Sequence, residues 1–183
     1  MKDRLSRRTV WTGRMLAVHE DRVRLPDGRE IELEFIHHPG AAAVLPLHED
    51  GSLTLLRQYR YAVGGTLLEM PAGKLDPGES PEACAARELQ EEAGLKPGLL
   101  VPLAVIHTTP GFTDERIHLY AATALTEVPQ ALEEDELLEL VRLPLAEALD
   151  LAASGGITDA KTLCALMRLE QELAAGRLSP ASR

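Results

Sequence analysis

Aromatic side chains are scarce: Phe, Trp and Tyr make up 3% of the 183 residues, with one tryptophan. A core must therefore rest on Leu, Val, Ile and Ala. Cysteine is nearly missing too, with two residues, Cys84 and Cys164. Two thiols exclude a disulfide framework and read as small apolar side chains in a reducing compartment. No apolar run approaches the ~20 residues that span a bilayer, so no membrane association is expected. The basic start, Met1 to Arg8, is not followed by an apolar stretch. No signal peptide is expected there, and a soluble cytoplasmic protein is the default. Positive charge is in the minority, with 19 Lys and Arg against 29 Asp and Glu and a net charge of −10. That balance argues against a nucleic-acid partner. An acidic chain can still hold an anionic ligand when cations bridge the two.

The length suits one domain with a small appendage. Val10, 15–18, 23–25 and 31–36 read as strands, with a turn at Pro26-Asp27-Gly28. They predict a small antiparallel sheet over 1–40. Pro39-Gly40 breaks the chain. The apolar run 41–47 predicts a buried strand, with 53–60 returning as its hairpin partner. Short strands are expected at 67–70, 99–107, 117–126 and 137–143. Ser80, Pro81 and Gly94 punctuate a helix over 80–94 as N-cap, first helical residue and C-terminal stop. Two more helices are expected at about 145–153 and about 159–175. The layout predicts an α+β fold, an α/β/α sandwich with a mixed sheet over 41–178, preceded by the small sheet and followed by a tail at 179–183.

Chemistry concentrates where a glycine-rich acidic loop, Gly73 to Ser80, runs directly into that helix. Glu88, Glu91 and Glu92 stand at i, i+3 and i+4 and share one helix face. Ala86, Leu89 and Ala93 are expected to form the packing face. Three neighbouring carboxylates repel one another, and a hard divalent cation would offset that repulsion. A solvated acidic face is the alternative from spacing alone. Arg87 reaches Glu91 at i+4 and can orient it.

The spacing Gly73-x5-Glu79-x7-Arg87-Glu88-Leu89-x-Glu91-Glu92-x-Gly94-Leu95 resembles the complete Nudix box of the Nudix hydrolases. The strand order around it also suits that family's fold, over roughly residues 41–172. The resemblance implies metal-assisted hydrolysis of a nucleoside diphosphate linked to another group. It implies Glu88 and Glu92 as the main ligands of Mg²⁺, with Mn²⁺ or another divalent cation as alternatives. Glu91 would be a further ligand or a water activator, and the Ala72 carbonyl would complete the shell. Glu79 and Arg87 would hold loop and helix together.

Three features are similar to the ADP-ribose pyrophosphatase branch: Leu68 to Lys74, Pro110 at 15 residues beyond Leu95, and the acidic run 133–139. This implies cleavage of ADP-ribose to AMP and ribose 5-phosphate. Another nucleoside diphosphate sugar or a dinucleotide such as NADH is the alternative substrate, and a ligand sensor without catalysis is a rival class. Glu136 is the implied catalytic glutamate on a mobile loop. Arg57 and Arg60 are candidate phosphate contacts, only one of which faces the site if the strand is ideal, and Arg60 fits the branch better. Glu69 is a candidate ribose contact, and Thr109 and Glu115 are candidate substrate contacts on the loop around Pro110. In this branch the N-terminal sheet swaps across a homodimer, where Trp11 or Phe35 would stack on adenine; a packing role for either is equally open. The stretch Gly155 to Thr162 only faintly suggests a phosphate-binding loop, because Ala160 stands where a second glycine is required.

Overall fold

The computed structural model describes residues 3–14, 16–132 and 137–181. In chain order the elements are β1 (Arg4–Thr12), β2 (Ala17–Arg24), β3 (Glu30–His37), β4 (Ala41–Pro46), β5 (Ser52–Arg60), β6 (Gly65–Glu69), β7 (Ala72–Lys74), α1 (Pro81–Ala93), β8 (Leu95–Lys96), β9 (Leu99–His107), β10 (Arg116–Thr123), β11 (Thr126–Glu127), β12 (Leu138–Pro144), α2 (Leu145–Ser154) and α3 (Ala160–Ala174). The chain divides into two compact units. One comprises Met1–Gly40 with His107–Arg116, and the other Ala41–Ile106 with Ile117–Arg183.

The first unit is built on the antiparallel sheet β1-β2-β3. Its 107–116 segment joins β3 through a bridge between Ile36 and Thr113, and Ile36 N–H donates to the Phe112 carbonyl at 2.7 Å. On the sheet, Asp21 is buried and its carboxylate accepts both Nε and Nη2 of Arg7 at 2.6 Å. That guanidinium also lies 4.7 Å from the centre of the Phe35 ring.

The second unit is organised by β4, the strand whose six residues are all buried. A strand covered on both faces has no polar alternation to show, which is why 41–47 reads as an unbroken apolar run. Its side chains nonetheless alternate between two cores. Ala41, Ala43 and Leu45 join Leu53, Leu55 and Leu143 and the helix residues Ala148, Ala165, Leu166 and Leu169. Ala42 and Val44 face the other way, onto Cys84, Ala85, Leu89 and Ala93 of α1. The small alanines let α1 lie close to the sheet. A sheet with helices on both faces is the predicted α+β sandwich, and it is mixed: β4 runs parallel to β10 and antiparallel to β7.

One strand pairing departs from expectation. β5 does not return as the hairpin partner of β4; it pairs with β6 and β12 in a separate three-stranded sheet. Leu47 and Leu53 form an isolated bridge across the turn. The apolar run could not say which neighbour each strand takes, and the two edges of β4 are already occupied by β7 and β10. The last strand also starts one residue later than expected, and the strand expected over 117–126 ends at Thr123, where Ala124 turns through φ 51°.

Candidate active site

Helix α1 forms where its signals place it. Ser80 is the N-cap and its hydroxyl accepts from Ala83 N–H at 3.2 Å, and Gly94 closes the helix at φ 63°. Gly94 could not be replaced without strain, because a Cβ there would also meet the Val128 carbonyl at 2.9 Å. The packing face is Cys84, Ala85, Leu89 and Ala93, so Cys84 and Ala85 take the place expected for Ala86, which is only partly buried. Glu88 and Glu92 are buried beside this face, at 8% and 2% exposure, whereas Glu91 lies further out.

A buried carboxylate must find partners or lose its charge. Glu92 Oε2 accepts Ala72 N–H at 2.8 Å, which ties the helix to the first residue of β7. Arg87 serves the others. Its Nη1 donates to Glu88 Oε1 at 2.7 Å and to Glu91 Oε2 at 2.9 Å. Its Nε and Nη2 grip Glu79 at 2.9 and 3.0 Å, and Nη2 also reaches the Lys74 carbonyl at 3.2 Å. The Arg87 guanidinium holds the Glu79 carboxyl at a pKa of about 2, well below its ordinary 4.5. The same acids push the guanidinium's own pKa upward. Beneath them, burial pushes the Cys84 thiol up to about 12. Its Sγ donates to the Lys74 carbonyl at 3.3 Å.

Gly73 is the tightest point of the loop. A Cβ built there would sit 1.7 Å from Glu88 Oε1, so the carboxylate occupies the space a side chain would need. The box glycine is thus fixed by contact with a box glutamate, not by backbone conformation.

These donors are all oxygen, which suits a hard divalent cation that brings waters or phosphate oxygens of its own. The expected trio is not drawn to one point, however. Among the described residues no three His, Cys, Asp or Glu side chains converge closely enough to enclose an ion. Arg87 draws Glu88 and Glu91 onto its Nη1, and Glu92 leans on the loop backbone. The donor set therefore fits a cation held by one or two carboxylates and completed from outside.

The other candidates sort themselves by burial. Arg60 lies beside the loop entry, with its Nε and Nη2 on Glu69 at 2.8 and 3.1 Å. Arg57 points away and faces Glu139 across the sheet at 3.6 Å, an exposed pair of small value. Glu69, the candidate ribose contact, is at 1% exposure, with Arg60 and Lys161 both on its carboxylate. Trp11, Thr109 and Glu115 belong to the first unit. Trp11 is exposed, with its ring folded over Gly13. The Thr109 carbonyl accepts Phe112 and Thr113 N–H groups at 3.2 Å. Glu115 accepts the Thr108 hydroxyl at 2.6 Å and pairs with His38 at 3.5 Å. Glu136 lies outside the described residues.

Two residues went unremarked in the sequence. Lys161 reaches Glu69 from the first turn of α3, and Gln130 caps α1 by donating to the Glu92 carbonyl. The signal for Lys161 was available: a lysine two residues after an Asp N-cap lies in the first helical turn and opposes the helix dipole.

Residues 36–166 match the NUDIX domain profile. The chain is 36% identical over 168 residues to an ADP-ribose pyrophosphatase of Bacillus subtilis, covering 91% of each. It is 39% identical over 163 residues to a methanol dehydrogenase activator of Bacillus methanolicus, covering 88% of each. A solved structure described as an ADP compounds hydrolase superposes with a TM-score of 0.82 at 27% identity, covering 96% of both chains. Among the described residues no helix is long and apolar enough to cross a membrane. A chain that matches this profile over most of its length and carries all four box glutamates belongs to the Nudix family, and it is a Nudix pyrophosphohydrolase.

Proposed function

We propose that this enzyme hydrolyses ADP-ribose to AMP and ribose 5-phosphate with Mg²⁺, as a cytoplasmic homodimer whose N-terminal sheet is exchanged. Nudix hydrolases need divalent cations in general; Mg²⁺ is chosen because its octahedral shell keeps waters and takes one or two carboxylates plus phosphate oxygens. The observation that carries the reading is the pair of buried carboxylates, Glu88 and Glu92, held against the Ala72–Gly73 backbone. The names of the relatives supply the nucleotide: an ADP-ribose pyrophosphatase and an ADP compounds hydrolase.

In this reading Glu88, Glu92 and the Ala72 carbonyl would hold the cation, with Glu91 as a further ligand or the water activator. A cation held there would supply charge neutralisation at the diphosphate and a more acidic water. The outward edge of Arg60 receives a phosphate oxygen, and its inner edge stays on Glu69. Glu136 or Glu91 takes the proton from the attacking water. Trp11 stacks on the adenine of a partner protomer, and Thr109 and Glu115 border the substrate. Glu79 and Arg87 keep loop and helix in register.

The test is kcat/KM over a panel of ADP-ribose, GDP-mannose and NADH with Mg²⁺ and with Mn²⁺. ADP-ribose is expected to lead by at least tenfold. A panel led by another compound replaces the substrate, and a panel with no turnover removes the reading.

A further inference from the structure

The buried acid Glu69 sits at the end of β6, four residues before the box glycine Gly73. Burial alone would drive its carboxyl toward neutrality, but Arg60 and Lys161 outweigh burial and hold its pKa below the ordinary value. Lys161 also pairs with Asp159 at 3.0 Å. Asp159 is the N-cap of α3: its Oδ2 accepts Thr162 N–H at 3.0 Å and the Thr162 hydroxyl at 2.6 Å. Thr162 Oγ1 in turn accepts Met70 N–H at 2.9 Å, so the start of α3 is fastened to the backbone next to Glu69.

This is a costly place for a cation. Lys161 stands in the first turn of a helix, against its dipole, with only 11% of its side chain exposed. A buried ion pair is weak evidence for stability, and apolar residues of like volume commonly serve as well or better. What the arrangement does supply is geometry. Both oxygens of Glu69 are committed, so the carboxylate has one orientation. Arg60, which keeps 40% of its side chain exposed, rests two of its nitrogens on that fixed carboxylate.

We infer that Lys161 is a positioning residue of this enzyme: by clamping Glu69 in place, it orients the guanidinium of Arg60 for the substrate's diphosphate. Arg60's long side chain has many rotamers to lose on binding, and a preset fork spares that loss at the moment the anion arrives. The inference rests on the proposed phosphate role of Arg60, and its test separates the two.

Lys161→Met keeps the length of the side chain and removes its charge; Lys161→Arg is the conservative comparison. In the full-length enzyme with saturating Mg²⁺, Lys161→Met is expected to raise the KM for ADP-ribose about tenfold, with kcat within about twofold, as loss of binding common to ground and transition states predicts. Lys161→Arg restores most of the affinity. In an Arg60→Ala background the added effect of Lys161→Met falls below about twofold, because residues acting through one another are not additive. Without any ligand, the Arg60 Nε–H is expected to give a slowly exchanging NMR signal in the wild type and in Lys161→Arg, and to lose that protection in Lys161→Met. Equal effects of Lys161→Met with and without Arg60, or an unchanged Arg60 signal, overturn the inference. If Arg60→Ala leaves KM untouched while the signal behaves as expected, Lys161 still orients Arg60, but the phosphate role of Arg60 falls and with it the link to the diphosphate.

Discussion

Two groups of buried charge flank the box loop, and they are balanced differently. Around Arg87, one guanidinium faces Glu79, Glu88 and Glu91, with Glu92 beside them on the same helix. Around Glu69, two cations meet two acids: Arg60 and Lys161 against Glu69 and Asp159. The second group satisfies itself. Among the described residues, the first sets four carboxylates around one guanidinium. The lesson is electrostatic. A surplus of carboxylate marks where counter-charge must come from outside, and a neutral cluster marks where geometry is being held.

Removing charge from the acidic group gives the largest expected effect. Glu92→Gln should lower kcat by about three orders of magnitude, since a cation at the phosphoryl oxygens contributes several kcal/mol to the barrier. Steady-state rates check this, and a variant as fast as wild type would undo the cation assignment. Gly73→Ala comes next. Its Cβ must displace Glu88 Oε1, the end of a side chain and not backbone, so the helix stays folded while the ligand moves. We expect kcat to fall by about ten- to a hundredfold, in keeping with loss of one well-placed charged group, with little change in Tm. A variant that unfolds instead would show that the loop cannot yield.

The Arg87 group also predicts an acid sensitivity, through Glu79. The folded pKa of Glu79 is about 2 against an ordinary 4.5. A depressed carboxyl lends the fold stability that is complete above about 4.5 and is lost as pH falls toward 2. Glu79→Gln should therefore be less stable than wild type at neutral pH, and the gap should close on acidification. Denaturation midpoints from pH 7 to 2.5 test it, and a gap independent of pH would place the role of Glu79 in packing. The smallest effect concerns the thiols. Cys84 is buried with its pKa raised to about 12, whereas Cys164 is partly exposed. Iodoacetamide at pH 8 should label Cys164 first, read by mass of the peptides. Preferential labelling of Cys84 would mean that α1 lifts off the sheet.

Much of this molecule is local and hence legible. Ser80, Pro81 and Gly94 act through contacts within a few residues, so the helix bearing the acids could be bounded from its own sequence. The i, i+3 and i+4 spacing of its glutamates likewise follows from helical pitch. The partner of β5 could not be read, because β4 and β5 are both apolar and their sheets are chosen by what else competes for each edge. The surroundings of Glu69 were hidden for a similar reason: the lysine on its carboxylate lies 92 residues away in the chain.

The order of elements, the capped helix and the spacing of its carboxylates were written in the chain, since pitch, capping and turn chemistry depend on near neighbours alone. Which strands share a sheet, which acids are buried, and how Lys161 comes to stand behind Arg60 were decided only on folding. Burial and charge pairing belong to positions in space, and long-range packing sets those positions.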